Sequence, residues 1–251
     1  KGYKEQIAMP TKRPKIIVVL GPTATGKSDL AVVIAKKFNG EVISADSRQV
    51  YTGLNIGTGK ITESEMHGIP HHLLDVVSPK KQYTPAQWKK AAERATQDIL
   101  SRGKLPIVCG GTGQYIDALV YNILFPEVPP NKKLRARLEK LSTEKLFSML
   151  QKLDRTRAEN IDAKNPRRLI RAIEIATALG HVPHLDTRCP SDYDVLFIGL
   201  DMDDEMLHAR IKARLLARLK QGMVMEAERL HLQGVSWKRM EALGLEYRFL
   251  S

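Results

Sequence analysis

Residues Gly21-Pro22-Thr23-Ala24-Thr25-Gly26-Lys27-Ser28 follow an apolar, β-branched run, Lys15 to Leu20, and open an amphipathic stretch, Lys27 to Phe38. A Gly-x4-Gly-Lys-Ser pattern between a strand and a helix is a phosphate-binding loop. Its glycines let backbone N–H groups converge on phosphate oxygens, and the helix N-terminus adds partial positive charge. Lys27 neutralises those oxygens, and the Ser28 hydroxyl is the natural ligand for Mg²⁺. Such a loop needs a strand that ends beneath a helix N-terminus. It therefore predicts an α/β, P-loop NTPase-like parallel sheet flanked by helices.

The rest of the chain supplies the alternation this fold requires. Glu41 to Asp46 reads as a second strand, and Thr84-Pro85 gives the N-cap and first residue of a helix over Pro85 to Ser101. Leu105 to Cys109 reads as a third strand, closed by Gly110-Gly111-Thr112-Gly113 and followed by an apolar stretch, Tyr115 to Leu124. After Phe125 to Pro130 the texture changes. Leu134, Leu138 and Leu141, then Leu146, Met149, Leu150 and Leu153, recur at helical spacing, and Asn165-Pro166 starts a helix that Gly180 ends. We therefore place an all-helical insertion at 125–192, inside a catalytic core made of 15–124 and 193–251, with a basic N-terminal tail at 1–14. Asp194 to Met202 returns to strand character. Asp203 onward predicts a long helix with Leu207, Ile211, Leu215 and Leu219 on one face.

Composition narrows the partner. Lys plus Arg outnumber Asp plus Glu by 40 to 28, a net charge of +12, which favours a polyanion such as nucleic acid. Cys109 and Cys189 lack CxxC spacing, so neither a disulfide framework nor a zinc site is indicated, and a reducing cytoplasm fits. No apolar run approaches the roughly 20 residues of a membrane span. Lys1 to Arg13 lacks the apolar centre of a signal peptide. The chain begins without Met and stops at Ser251 in a helical-looking stretch, which reads as a trimmed piece of a longer chain.

The loop alone leaves the reaction open. ATPases and GTPases hold Mg²⁺ with an acidic residue at the tip of a second strand, but Leu105 to Cys109 runs into Gly110-Gly111-Thr112 instead. Asp46 is the acidic residue placed near the loop, as a metal ligand or as a base. The plainer reading, a turn cap after a strand, is common for Asp.

Six blocks carry a resemblance. Gly21 to Ser28, Ile43 to Tyr51 (Ile-Ser-Ala-Asp-Ser-Arg-Gln-Val-Tyr), Asn55 to Lys60, Gly68 to Asp75, Gly110 to Tyr115 and Asn165 to Glu174 resemble, in order and spacing, the tRNA dimethylallyltransferase family. The resemblance implies transfer of a dimethylallyl group from dimethylallyl diphosphate to N6 of the adenosine 3′ of a tRNA anticodon, with Mg²⁺ assisting. It implies that Gly21 and Thr23, Ala24, Thr25, Gly26, Lys27 and Ser28 bind the diphosphate together with Arg214. Catalysis falls to Asp46 as general base, with Thr23 near the reacting centre and Lys27 on the leaving oxygens. Contacts to tRNA fall to Asp46, Ser47, Arg48, Gln49, Thr112, Arg135, Arg167, Arg168 and Arg171. No protein partner is implied, and a monomer is expected.

Plainer readings stand beside several of these. Arg168 and Arg171, and the stripe Arg210, Arg214 and Arg218, are at spacings that usually mark solvated helix faces. Tyr51 and Tyr115 are more often core than channel lining. His71-His72 has no third ligand at useful spacing for a metal. Leu245 stands where the family carries an aromatic residue. The rival functions are an adenylate isopentenyltransferase acting on free nucleotide, a small-molecule P-loop kinase, and a P-loop RNA-binding protein without catalysis. The basic helical insertion favours tRNA over free nucleotide.

Overall fold

A computed structural model describes residues 13–183 and 192–251. Most of the N-terminal tail, and Cys189, lie outside the described residues. The described chain divides into two units, Lys1–Asn122 with Pro190–Ser251, and Ile123–Cys189.

The first unit is built on five strands: β1 (Lys15–Leu20), β2 (Gly40–Ser44), β3 (His71–His72), β4 (Leu105–Cys109) and β5 (Asp194–Gly199), in the order β3-β2-β4-β1-β5. Every pairing is parallel. Successive side chains of a strand point to opposite faces, and the core divides accordingly. Val18, Ile43 and Val108 face one cluster, with Trp88, Leu119 and Met240, while Val19, Val42 and Ile107 face another, with Ala31 and Ile34. Helices α1 (Lys27–Phe38), α3 (Pro85–Ser101) and α4 (Gly113–Val120) cover these faces; α2 (Glu63–Met66) is a single turn. Helix α3 starts where Thr84-Pro85 predicts, with a complete capping box to Gln87. Tyr51 and Tyr115 are core, and Tyr115 stacks on Trp88 with ring centroids 4.6 Å apart.

The second unit is helical: α5 (Lys132–Leu138), α6 (Thr143–Leu153), α7 (Arg155–Glu159) and α8 (Pro166–Leu179). Leu138, Leu146, Leu150, Leu169 and Ile173 meet at its centre. Asn165 caps α8 through the Arg168 N–H, and Gly180 ends it in the left-handed conformation. After β5 the first unit closes with α9 (Asp204–Lys220), α10 (Met223–Leu232), α11 (Trp237–Met240) and α12 (Leu245–Leu250).

Two strand ends need correction. Strand β2 ends at Ser44, so Asp46 lies two residues beyond it, because its carboxylate caps the turn that follows. Strand β5 ends at Gly199 rather than Met202, before Asp203 caps α9, and helix α4 takes up the apolar stretch as far as Val120. The leucine face of α9 is not a buried one. Ile211, Leu215 and Leu219 are exposed, and the one buried residue of the helix is Arg218. Leucines and arginines repeat here at the same helical period, so periodicity defines two faces without deciding which turns inward.

Each unit encloses one carboxylate among cations. In the first, Glu41, 1% exposed, meets His72 and Lys104 at 2.7 Å and accepts a bidentate pair from Arg102. Arg102 holds its carboxyl well below the ordinary value, against the upward push of burial. In the second, burial pushes Glu174 up, but Arg135, Arg171 and the Asn131 N–H overcome it and hold the carboxyl at about 2. A carboxyl depressed in the folded state stabilises above its unfolded value and loses that contribution as pH falls through the folded one. Both units should therefore lose stability as pH falls from 4.5 toward about 2. Glu41→Gln should lower stability by about 2 kcal/mol at neutral pH and flatten the acid limb. Urea unfolding of both proteins at neutral and acid pH checks this; parallel pH profiles would contradict it.

Candidate active site

The phosphate loop lies between β1 and α1. Gly26 occupies the N-cap of α1 in the left-handed conformation and offers no side chain to the first-turn amides. That end of the helix is open to an anion. Lys27 Nζ donates to the Pro22 carbonyl, and Thr25 turns inward, buried, with its hydroxyl on the same carbonyl at 2.9 Å.

The loop borders a cavity of about 630 Å³. Thr23, Ala24, Gly26, Lys27 and Ser28 line one side, and Asp46, Arg48 and Gln49 line another. Arg210, Arg214 and Arg218 of α9 line it too, so this arginine stripe is a site wall rather than a solvated face. A smaller cavity of about 440 Å³ beside β5 is lined by Val120, Tyr121, Tyr193 and Phe197 among others and shares no residue with the phosphate loop.

Asp46 is oriented by its own turn. Its Oδ1 accepts from the Arg48 N–H at 2.7 Å and from the Gln49 N–H at 3.3 Å. Its Oδ2 has no hydrogen-bond partner among the described residues. A carboxylate fixed through one oxygen and open at the other can accept a proton from a bound substrate. The turn is braced from β4, since the Ser47 N–H donates to Thr112 Oγ1 at 3.0 Å and the Thr112 N–H to the Ala45 carbonyl at 3.1 Å. Thr112 therefore acts here on the Asp46 turn. Arg48 Nη1 donates to the Ala242 carbonyl at 2.8 Å, joining the turn to the segment before α12.

The charges of the cavity influence one another. Burial draws the Lys27 ammonium down; Asp46 opposes that, and Arg214 adds to it. Burial and then Arg214 likewise lower Arg218. Burial pushes the Cys109 thiol up to about 12, which leaves it protonated and removes it as a nucleophile. The concentrated positive charge suits an anion with several oxygens.

The other predicted arginines lie in the helical unit. Arg167 and Arg168 are exposed on α8, while Arg135 and Arg171 are tied to Glu174 at 2.8 and 2.6 Å. Sequence reasoning missed Glu226. It stands on α10 three residues after Met223 and four before Leu230, both buried. An acidic residue on a buried helical stripe was the available signal.

The IPP transferase family model matches residues 49–250. A tRNA dimethylallyltransferase of Anoxybacillus flavithermus is 41% identical over 234 residues, 92% of this chain and 75% of that protein. The tRNA dimethylallyltransferase 2 of Treponema denticola is 44% identical over 237 residues, 93% of this chain and 79% of that protein. Among solved structures, the tRNA delta(2)-isopentenylpyrophosphate transferase of Staphylococcus epidermidis matches with a TM-score of 0.65 at 37% identity, covering 94% of this chain and 79% of that one. A eukaryotic dimethylallyltransferase acting on tRNA matches with a TM-score of 0.78 at 31% identity, covering 91% of this chain and 59% of that one. By sequence and by fold, the chain belongs to the IPP transferase family.

Proposed function

We propose that this chain is a tRNA dimethylallyltransferase, moving a dimethylallyl group from dimethylallyl diphosphate to N6 of the adenosine 3′ of the anticodon. The observation that carries the reading is Asp46, open at Oδ2, in one cavity with Lys27, the uncapped helix N-terminus and Arg214. The adenine N6 attacks the allylic carbon, the bond from that carbon to the diphosphate oxygen breaks, and diphosphate leaves with the electron pair. Asp46 takes the proton that N6 sheds; the amine is a poor nucleophile without such an acceptor. Lys27, Arg214 and the α1 amides stabilise charge growing on the leaving oxygens, and the Thr23 hydroxyl lies on the same wall.

The donor set fits a hard cation. Mg²⁺ keeps several waters and takes one or two protein oxygens beside substrate phosphates, and Ser28 and Asp46 are oxygen donors on this cavity. Ser28 would hold it, and bound there it would neutralise diphosphate charge. The target base must leave its stack to reach the cavity. Arg48 and Gln49 stand at the wall to receive it, and Arg167, Arg168, Arg171 and Arg135 supply positive charge for the RNA backbone. A cytoplasmic monomer working on free tRNA suits this chemistry, and among the described residues no helix is long and apolar enough to cross a membrane.

The test is incubation of the protein with unmodified tRNA and dimethylallyl diphosphate, with ATP and AMP in parallel. Prenylated tRNA is expected; phosphorylation by ATP, or prenylation of AMP with tRNA untouched, would overturn the reading. Arg168 carries a separate prediction. As an exposed cation on α8, its replacement by alanine should lower the slope of log affinity against log salt by about one, equally for different tRNAs. An unchanged slope would remove Arg168 from the RNA interface.

A further inference from the structure

The loop Asn55 to Lys60 reaches the cavity with Thr58 and Gly59. Its one cation faces away from that role, since Lys60 Nζ is held by Asp75, Asn55 and the Tyr51 carbonyl. The loop instead holds guanidinium groups with its carbonyls. Arg218 Nη1 donates to the Gly57 oxygen at 3.1 Å and Arg214 Nη2 to the Gly59 oxygen at 3.3 Å. The fit is close, because a Cβ on Gly59 would lie 1.8 Å from Arg218 Nη2 and 2.4 Å from Arg214 Nη2. Loop position and arginine position are therefore a single variable. The two guanidiniums also repel each other, and the loop carbonyls, with Glu246 Oε1 at 3.3 Å from Arg218 Nη1, hold them together at the cavity.

What fixes the loop is Glu226, 3% exposed. Its Oε2 accepts from the N–H groups of Asn55 at 3.0 Å and Ile56 at 2.9 Å, and its Oε1 accepts from the Gly57 N–H at 3.0 Å and the Tyr247 hydroxyl at 2.7 Å. Four donors converge on two oxygens, so the site accepts a carboxylate and resists any group that brings a donor of its own. Tyr247 closes the far side: a Cβ on Gly57 would lie 2.6 Å from its ring.

We propose that Glu226 is a positioning residue for the prenyl donor. It pins residues 55–57, and the loop carbonyls then aim Arg218 and Arg214 at the leaving diphosphate. The inference rests on the reading that this cavity takes a prenyl diphosphate. Glutamine at 226 keeps the shape but turns an N–H toward either the Asn55 and Ile56 amides or the Gly57 amide and Tyr247 hydroxyl, so one half of the clamp opens.

The test is a double-mutant cycle on binding of inorganic diphosphate, with KM measured separately for dimethylallyl diphosphate and for tRNA. Glu226→Gln should weaken diphosphate binding about tenfold and raise the donor KM in parallel, with the tRNA KM changed less than about twofold. In an Arg214→Ala/Arg218→Ala background the same change should cost nothing further, because the groups through which Glu226 acts are gone. Additive losses, an equal rise in both KM values, or unaltered diphosphate binding in Glu226→Gln alone overturns the proposal. If the arginine variant itself binds diphosphate normally, the donor reading fails and takes this proposal with it. Gly57→Ala leaves the carboxylate itself in place but sets a Cβ 2.6 Å from the Tyr247 ring and hydroxyl, so it displaces the loop together with part of the clamp and should reproduce the donor-specific loss. It carries the test should Glu226→Gln lose its far-ultraviolet circular dichroism, and unfolding of both variants overturns the proposal in favour of a core role.

Discussion

Asparagine at position 46 should lower the rate of prenyl transfer by about 10²- to 10⁴-fold, the usual contribution of a positioned general base. The substitution isolates proton transfer from architecture. Oδ1 of asparagine can still accept from the Arg48 and Gln49 N–H groups, which Asp46 receives at 2.7 and 3.3 Å, so the turn should keep its shape. What is lost is a basic oxygen at the position of Oδ2. Asp46→Ala removes the cap as well, so its additional effect should appear as lower stability, by about 1 kcal/mol. Single-turnover prenylation, measured beside diphosphate affinity and thermal unfolding, separates the two. A rate for Asp46→Asn within a few-fold of the parent protein would assign the base elsewhere, and a large loss of diphosphate affinity would make Asp46 a binding group.

How far this site could be read from the sequence depended on whether each feature is local. The bounds of β1, α1, α3 and β4 follow from apolar runs, a glycine turn and a Thr-Pro start, all signals confined to a few neighbouring residues. The phosphate loop is legible for the same reason. Asp46 could be nominated, but the bracing of its turn could not be read, because Ser47 is held by Thr112, sixty-five positions further on. Helix α9 was legible as a helix but not in the face it buries. Its leucines and arginines share one period, and the arginines turn inward because the cavity wall needs charge that the Gly57 and Gly59 carbonyls can hold. Glu226 was illegible as a clamp because its partners, Asn55 to Gly57 and Tyr247, come from two distant segments.

The same reasoning identifies a glycine beside Asp46 that cannot easily change. Alanine at Gly110 should destabilise the protein by about 1–3 kcal/mol, the usual cost of forcing a methyl into a filled core. Its Cβ would lie 2.3 Å from the Ala45 oxygen, 2.4 Å from the Ala45 carbonyl carbon and 2.9 Å from its Cα. These are backbone atoms, so no rotamer change relieves the contact. Nor can the backbone retreat freely: the Ala45 N–H donates to the Cys109 carbonyl at 2.8 Å, and the Ala45 carbonyl accepts from the Thr112 N–H at 3.1 Å. Whatever shift occurs passes to the next residue, which is Asp46. A displacement of about 1 Å in a catalytic group can lower the rate by roughly 10²-fold, so Gly110→Ala should lose activity well beyond its loss of folded protein. Gly113→Ala is the control, since a Cβ there meets nothing within 4 Å and the residue opens α4. It should unfold within about 0.5 kcal/mol of the parent protein. Urea unfolding and single-turnover rates at a temperature where both variants are folded test the pair. If Gly110→Ala keeps parental stability and rate, the strand end beneath Asp46 is more compliant than its hydrogen bonds indicate. If stability falls and the rate does not, Asp46 is held from the Arg48 side alone.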